Sequence, residues 1–328
     1  MGEQDRNVID LSISIVNTNN WHYLEPCLRS ITENTHSIKY EILVVDNASS
    51  DDSVEKIRGR FPEVLLSVNE KKYGFAKNNN INLRKSRGRY VMLLNDDTLV
   101  QPYALDYAVQ YLDEHPAISG AGCQMISPDG SIQIASGRRI PTLLTILWKE
   151  LGLSFRFNKH PFFAWHTIGE WDHNSRRHID LPSEAGWVMR KSVIDKVGLL
   201  DDAFFMYGEG ADWASRIKEG GHKITFLPEC KITHFGNVTN QRTGNIKSYI
   251  QYYKSTYLYF MKRSWVQGLA YRLIMVLVFS IKIIFFGILY LLSLGFYKPY
   301  PEIFKYHLLA FELLVFRLHD ENYPFSAN

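Results

Sequence analysis

Asn95-Asp96-Asp97 follows the apolar run 90–94. Carboxylates in a turn at the end of a buried strand can hold a hard divalent cation, which in turn neutralises a diphosphate. Acidic residues are also ordinary turn formers, so alone the tripeptide reads equally well as a capped turn. His234 ends a later apolar run. Imidazole ligates metals that a carboxylate also holds, although a lone histidine is more often a satisfied structural residue. Asp46-Asn47 ends the run 40–45 and leads into Ala48-Ser-Ser-Asp-Asp-Ser53. An aspartate there can accept hydrogen bonds from a nucleobase or ribose; a helix N-cap explains Ser50 or Asp51 but not Asp46. Gly74 opens a helix carrying Lys77, Asn78, Asn79 and Asn80, where the backbone can approach an anion closely or simply turn. Glu209 and Asp212 stand at a helix start. Either can serve as a general base toward a hydroxyl, or both simply sit favourably at a helix N-terminus.

Residues so far apart need a scaffold that gathers them. Strand patterns at 11–16, 40–45, 64–68 and 90–94 alternate with helix patterns at 23–34, 53–61, 75–86 and 103–114. The alternation predicts an α/β fold with a doubly wound, mostly parallel sheet, whose ligands bind beyond the carboxyl ends of the strands. Three of those ends are chemically loaded: Asn17-Thr18-Asn19, Asp46-Asn47 and Asn95-Asp96-Asp97. One polar strand end means little; three converging on one edge predict a site.

Beyond 118 the pattern changes. Strand-like pieces at 119–126 and 131–135 surround the turn Pro128-Asp129-Gly130, and 138–180 is irregular and rich in aromatic, histidine and arginine residues, as a functional loop or lid is. Then come 181–190, helices at 191–197 and 212–219, and closing strands at 224–227 and 231–234. Tyr249, Tyr253, Tyr257 and Phe260 share a helical face, 273–296 is almost wholly apolar, and 303–318 is amphipathic. The apolar stretch has the length of a membrane span but carries Lys282 in its middle. It reads as a helical segment associated with, or shallowly inserted in, a membrane surface, against a true span or a protein interface such as a homodimer through the C-terminal helices.

The net charge of +3 over 328 residues is too weak to favour nucleic acid as partner. Three dispersed cysteines form no C-x-x-C pair, which argues against a disulfide framework or zinc knuckle and suits a reducing compartment. Residues 1–10 are polar and lack the apolar core of a secretory signal, so the N-terminal domain is expected in the cytosol, at the inner face of the cell membrane.

Taken in order, Ser14-Ile-Val-Asn-Thr-Asn19, Val44-Val-Asp-Asn-Ala-Ser-Ser-Asp51, Gly74-Phe-Ala-Lys-Asn-Asn79, Leu94-Asn-Asp-Asp-Thr98 and Phe205-Met-Tyr-Gly-Glu209 resemble the family 2 inverting glycosyltransferases of GT-A fold, in particular the rhamnosyltransferase-like group of bacterial surface polysaccharide synthesis. The resemblance covers roughly residues 10 to 240. It implies a GT-A domain over 1–240, with a nucleotide-sugar half (1–117) and an acceptor half (118–240), followed by a C-terminal helical region over 241–328. It implies that Asn17 and Thr18 line the donor nucleotide, that Asp46 binds its base, and that Gly74, Asn79, Asn95 and Asp96 face the donor. Asp97, with His234, would hold Mg2+ or Mn2+, and Ala185-Gly186-Trp187 would border the acceptor. The reaction implied is inverting transfer from a nucleoside diphosphate sugar, dTDP-rhamnose-like or a UDP-sugar, to a hydroxyl of a glycan or polyprenyl-linked acceptor.

One position departs from the pattern. Where the family has an aspartate often assigned as catalytic base, this chain has Gly210. Glu209, first, or Asp212 would serve instead; alternatively the chain is a catalytically impaired donor-binding or scaffold homologue. A nucleotidyltransferase or epimerase would need a glycine- and lysine-rich phosphate loop or a Tyr-x-x-x-Lys pair, and neither stands where it should.

Overall fold

The computed structural model describes residues 8–236, 245–292 and 299–318. The chain divides into two compact units: 1–140, 165–205 and 209–236 form the first, and 141–164, 206–208 and 237–328 the second. The boundary expected at 240/241 and the last four residues of the apolar stretch lie outside the described residues.

The first unit starts as a run of βα pairs: β1 (Leu11–Asn17), α1 (Trp21–Asn34), β2 (Tyr40–Asp46), α2 (Ser53–Arg60), β3 (Leu65–Val68), α3 (Phe75–Lys85) and β4 (Tyr90–Asn95). β5 (Thr98–Val100), α4 (Ala104–Glu114), β6 (Gly120–Ile126), β7 (Gly137–Arg138), β8 (Arg177–Ile179), β9 (Leu181–Pro182) and β10 (Gly186–Arg190) follow. α7 (Lys191–Val197), α8 (Glu209–Glu219) and β11 (Ile224–His234) close it, two short helices of the other unit, α5 (Leu143–Glu150) and α6 (Leu153–Arg156), coming between β7 and β8. The main sheet runs β3-β2-β1-β4-β10-β6-β11-β5, with β8 on β11. β3, β2, β1 and β4 are mutually parallel; β10 enters antiparallel to both β4 and β6. The sheet is therefore parallel where βα units wind it and mixed beyond.

α1 shows why these segments fold as they do. Leu24, Cys27, Leu28 and Ile31 recur at helical spacing, and all four are fully buried against the sheet. β1, β2 and β4 are buried along nearly their whole length, as strands covered on both faces must be. Two expectations change. Residues 131–135 form no strand; a bridge from Ile126 to Ile132 leads into a short 3-10 turn at Ile134–Ser136. The two closing strands are one, β11, whose register on β6 shifts between Leu227 and Lys231. Pro228 has no N–H to give the ladder, so the strand bulges there and continues. All three cysteines are buried and free.

The second unit is helical: α5 (Leu143–Glu150), α6 (Leu153–Arg156), α9 (Asn245–Arg263), α10 (Trp265–Leu292) and α11 (Pro299–Glu312), which runs into a π turn at Leu313–Arg317. Thr142 and Thr145 form a reciprocal capping box at the start of α5. Part of the stretch expected as a loop, Pro141–Ala164, thus belongs to this helical unit.

Candidate active site

Parallel pairing in register brings the loaded strand ends to one edge. Asn17 is level with Asp46, and Asn95 lies beside Val16. Asn17 Nδ2 donates to Asp46 Oδ2 at 2.8 Å, and the Ser49 amide donates to Asp46 Oδ1 at 2.9 Å. Asn19 Oδ1 accepts from the Ser50 amide at 2.6 Å, tying the loop after β1 to the loop after β2. Asn19 and Ala48 hold left-handed backbone with φ of 51° and 55°, a conformation that costs a non-glycine residue energy and persists where surrounding bonds enforce it. Asn17 and Asp46 are fully buried and form the floor of these loops, with Thr18 half-buried beside them.

The turn after β4 meets the end of β11. His234 pairs with Thr98 across the β5–β11 ladder, and the Phe235 amide donates to the Asp97 carbonyl at 3.0 Å. Asp97 Oδ1 then lies 3.3 Å from His234 Nε2, and Asn95 Nδ2 lies 3.4 Å from the same nitrogen. Gln133 fixes the imidazole: its Nε2 donates to the His234 carbonyl at 2.7 Å, which orients its amide oxygen to accept from His234 Nδ1 at 2.9 Å. With the proton held on Nδ1, Nε2 presents its lone pair beside a carboxylate. Asp97 and His234 thus supply one oxygen and one nitrogen donor suited to a divalent cation. Among the described residues no group of three or more His, Cys, Asp or Glu side chains gathers around a metal position, so further ligands would come from a bound phosphate and water. Below the turn, Cys27 Sγ lies 3.7 Å from the Asn95 carbonyl, and burial pushes its thiol up to about 12, keeping it protonated.

Other candidates fall in different surroundings. Asn79 points inward: it is buried, accepts from Ser14 Oγ at 2.8 Å and donates to the Phe75 carbonyl at 3.1 Å. Gly74 permits a close approach, but of this chain itself; a Cβ there would sit 2.6 Å from Phe205 Cα. Trp187 is wholly buried, its ring centroid 4.9 Å from that of Trp213, and a Cβ on Gly186 would strike Met125. Both therefore pack the core. Asp96 is half-buried at the turn. Glu209 begins α8 with 4 % exposure, and Asp212 accepts from Arg216 Nε at 2.9 Å, an arginine that also donates to the Val197 and Leu199 carbonyls. One residue was missed in the sequence: Gln133, which orients His234, carries no motif.

A wound sheet with amides, acids and one oriented histidine at the carboxyl edge defines a GT-A-type glycosyltransferase. The fold is shared with a mannosyltransferase of Pyrobaculum calidifontis solved with GDP-Man and Mn2+, at a TM-score of 0.57 and 15% identity over 96% of this chain and 89% of that one. It is also shared with GalNAc-T7 solved with UDP, GalNAc and Mn2+, at 0.52 and 17% identity over 70% of this chain and 44% of that one. Residues 12–170 match the model of glycosyl transferase family 2. An N-acetylglucosaminyl-diphospho-decaprenol L-rhamnosyltransferase of Mycobacterium tuberculosis is 26% identical over 74% of this chain and 80% of its own length. A rhamnosyltransferase of Escherichia coli strain K12 is 23% identical over 76% and 92%. Residues 12–170, just under half of the chain, thus match glycosyltransferase family 2, and the chain is a glycosyltransferase.

Proposed function

We propose that the chain transfers a sugar, with inversion, from a dTDP-rhamnose-like or UDP-sugar donor to a hydroxyl of a glycan or polyprenyl-linked acceptor in cell-surface polysaccharide synthesis. The observation that carries the reading is the Asp97–His234 pair with its Gln133-held tautomer, at the edge that also bears Asn17, Thr18, Asp46 and Asn95. The relatives that act on a lipid-linked acceptor or transfer rhamnose support the choice of donor and acceptor. Asp97 and His234 would hold Mg2+ or Mn2+, which when bound offsets the charge developing on the departing diphosphate. Asn95 and Asp96 flank that position, and the Asn17–Asp46 floor shapes the nucleotide pocket. An acceptor hydroxyl is a weak nucleophile at neutral pH, so a carboxylate that takes its proton speeds attack.

A cytoplasmic, membrane-associated placement fits the helical unit. Leu273, Leu277, Ile281, Ile284, Ile288 and Leu291 project outward from α10, and that helix is long and apolar enough to cross a membrane. Lys282 is neutralised by Glu150 at 2.7 Å, whose other oxygen accepts from the Tyr253 hydroxyl at 2.9 Å. The ion pair offsets the charge that argued against a clean membrane span. A second reading, a donor-binding homologue without turnover, is favoured by Gly210 alone. Nucleoside diphosphate release from a panel of UDP- and dTDP-sugars, with and without Mn2+, separates the two. Mn2+-dependent release supports transfer; tight binding without release favours the second.

A further inference from the structure

We propose that Glu184 is the catalytic base of this glycosyltransferase, standing in the space that the missing side chain at position 210 leaves open. The proposal rests on the sugar-transfer reading above and deepens it. Gly210 is the second residue of α8, and a Cβ built on it would land inside the van der Waals shell of Glu184 Oε1 and 2.5 Å from Glu184 Cδ. The glycine is what admits the glutamate: any side chain at 210 displaces that carboxylate. Glu184 itself sits in the turn that the Gly186 amide closes onto the Ser183 carbonyl at 3.1 Å. β10 runs antiparallel to β4 with Gly186 opposite Leu94, so this turn lies at the end where β4 passes into Asn95-Asp96-Asp97. His234 reaches the same edge through β11.

The carboxylate has a defined orientation. Oε2 faces Arg138 Nη2 at 3.8 Å, while Oε1 faces the first turn of α8, whose N-terminal dipole favours an anion. Its side chain is 27 % exposed, open to an incoming hydroxyl. The neighbouring late carboxylates are worse placed: Asp212 is engaged by Arg216, and Glu209 is almost wholly buried. In the step assigned, the acceptor hydroxyl oxygen forms a bond to the anomeric carbon as the bond from that carbon to the donor diphosphate breaks. The electron pair of that bond leaves with the diphosphate oxygen, and the hydroxyl proton passes to Glu184 Oε1.

The test uses the full chain with Mn2+, UDP- and dTDP-sugars, and either N-acetylglucosaminyl diphosphopolyprenol or water as acceptor. Glu184→Gln is isosteric and should lower kcat by about 10²- to 10⁴-fold, the usual range for losing a general base, with donor KM nearly unchanged. The double variant Glu184→Gly with Gly210→Asp, which moves the carboxylate onto α8 and removes the side chain it would strike, should recover at least about tenfold over Glu184→Gln. Wild-type kcat in Glu184→Gln, or a loss that appears as a raised donor KM with kcat kept, overturns the assignment, because the proton acceptor then lies elsewhere. Failure of the wild-type chain to bind any nucleoside diphosphate with Mn2+, read by thermal shift, would instead overturn the sugar-transfer reading itself.

Discussion

At the amino ends of β1 and β2, Glu41 accepts from Ser12 Oγ at 2.6 Å, from the Arg87 amide at 2.7 Å and from Arg87 Nε at 2.8 Å. At the carboxyl ends of the same two strands, among the described residues, Asp46 accepts from a neutral amide and a backbone N–H. The contrast extends along each edge. On the amino side Arg89 bridges Asp10 and Asp113, and the Tyr90 hydroxyl joins Asp113 to Arg190. On the carboxyl side Asp97 faces a histidine whose proton is held away from it. An open concavity of about 640 Å³ lies on the amino side, where Arg89 matches Asp10 and Asp113, while Asp106 accepts from the His36 and Ser37 amides and Glu114 from Gln110. A carboxylate hydrogen-bonded by arginine is held in the fold, whereas one without such a bond keeps its charge for a cation or a proton. Burial raises the pKa of Glu41, but the Ser12 and Arg87 hydrogen bonds outweigh it and leave that carboxyl below the ordinary range.

The comparison breaks if substitutions on the two edges have the same phenotype. The largest effect is expected at Asp97. Asp97→Ala should cut nucleotide release by roughly 10³-fold, the several kcal/mol that a metal contributes to charge stabilisation, with the melting temperature moved by no more than about 2 °C. Retained turnover with normal Mn2+ dependence would remove the metal from the carboxyl edge. Next is Gln133→Leu, which frees the imidazole to choose its tautomer. The Mn2+ concentration for half-maximal turnover should rise by about 10- to 100-fold, with kcat restored at saturating metal. An unchanged Mn2+ requirement would mean that Gln133 merely packs.

Some of this was legible in the sequence, and the division is physical. Short-range periodicity reported on burial, so Leu24, Cys27, Leu28 and Ile31 named the inner face of α1 without help. Strand ends were legible too, because an apolar run that stops at Asn17, Asp46 or Asn95 marks an edge. Tertiary partners were not. Gln133 lies 101 residues from the histidine it orients, and nothing local marks either end of that bond. At α3 residue type alone does not tell inward from outward: Asn78, Asn79, Asn80 and Asn82 are all buried. Asn82 Nδ2 donates to the carbonyls of Ile15 and Leu43, so the amide stitches the helix to β1 and β2 rather than to a ligand. At Gly210 the sequence showed only a loss; that Glu184 occupies the space beside it needed the fold to bring the turn before β10 against the start of α8.

The smallest effect sharpens the contrast from the other side. Glu41→Gln should leave nucleotide release at pH 7 unchanged and lower stability by about 1–3 kcal/mol, the range for a buried hydrogen bond to a charged group, discounted because Arg87 is well exposed. The sign follows from the direction of the shift. A carboxyl whose folded pKa lies below its unfolded value, about 4.3 for glutamate, stabilises the fold above that value and loses the contribution as pH falls through the folded pKa. Thermal melts should therefore show a full gap between wild type and Glu41→Gln at pH 7 and pH 6, closing progressively below about pH 4 as the wild-type carboxyl takes up its proton. A gap that stays constant through that range would mean that the glutamine changed packing rather than charge. The carboxylate–arginine match would then not be what distinguishes the amino edge from the carboxyl edge.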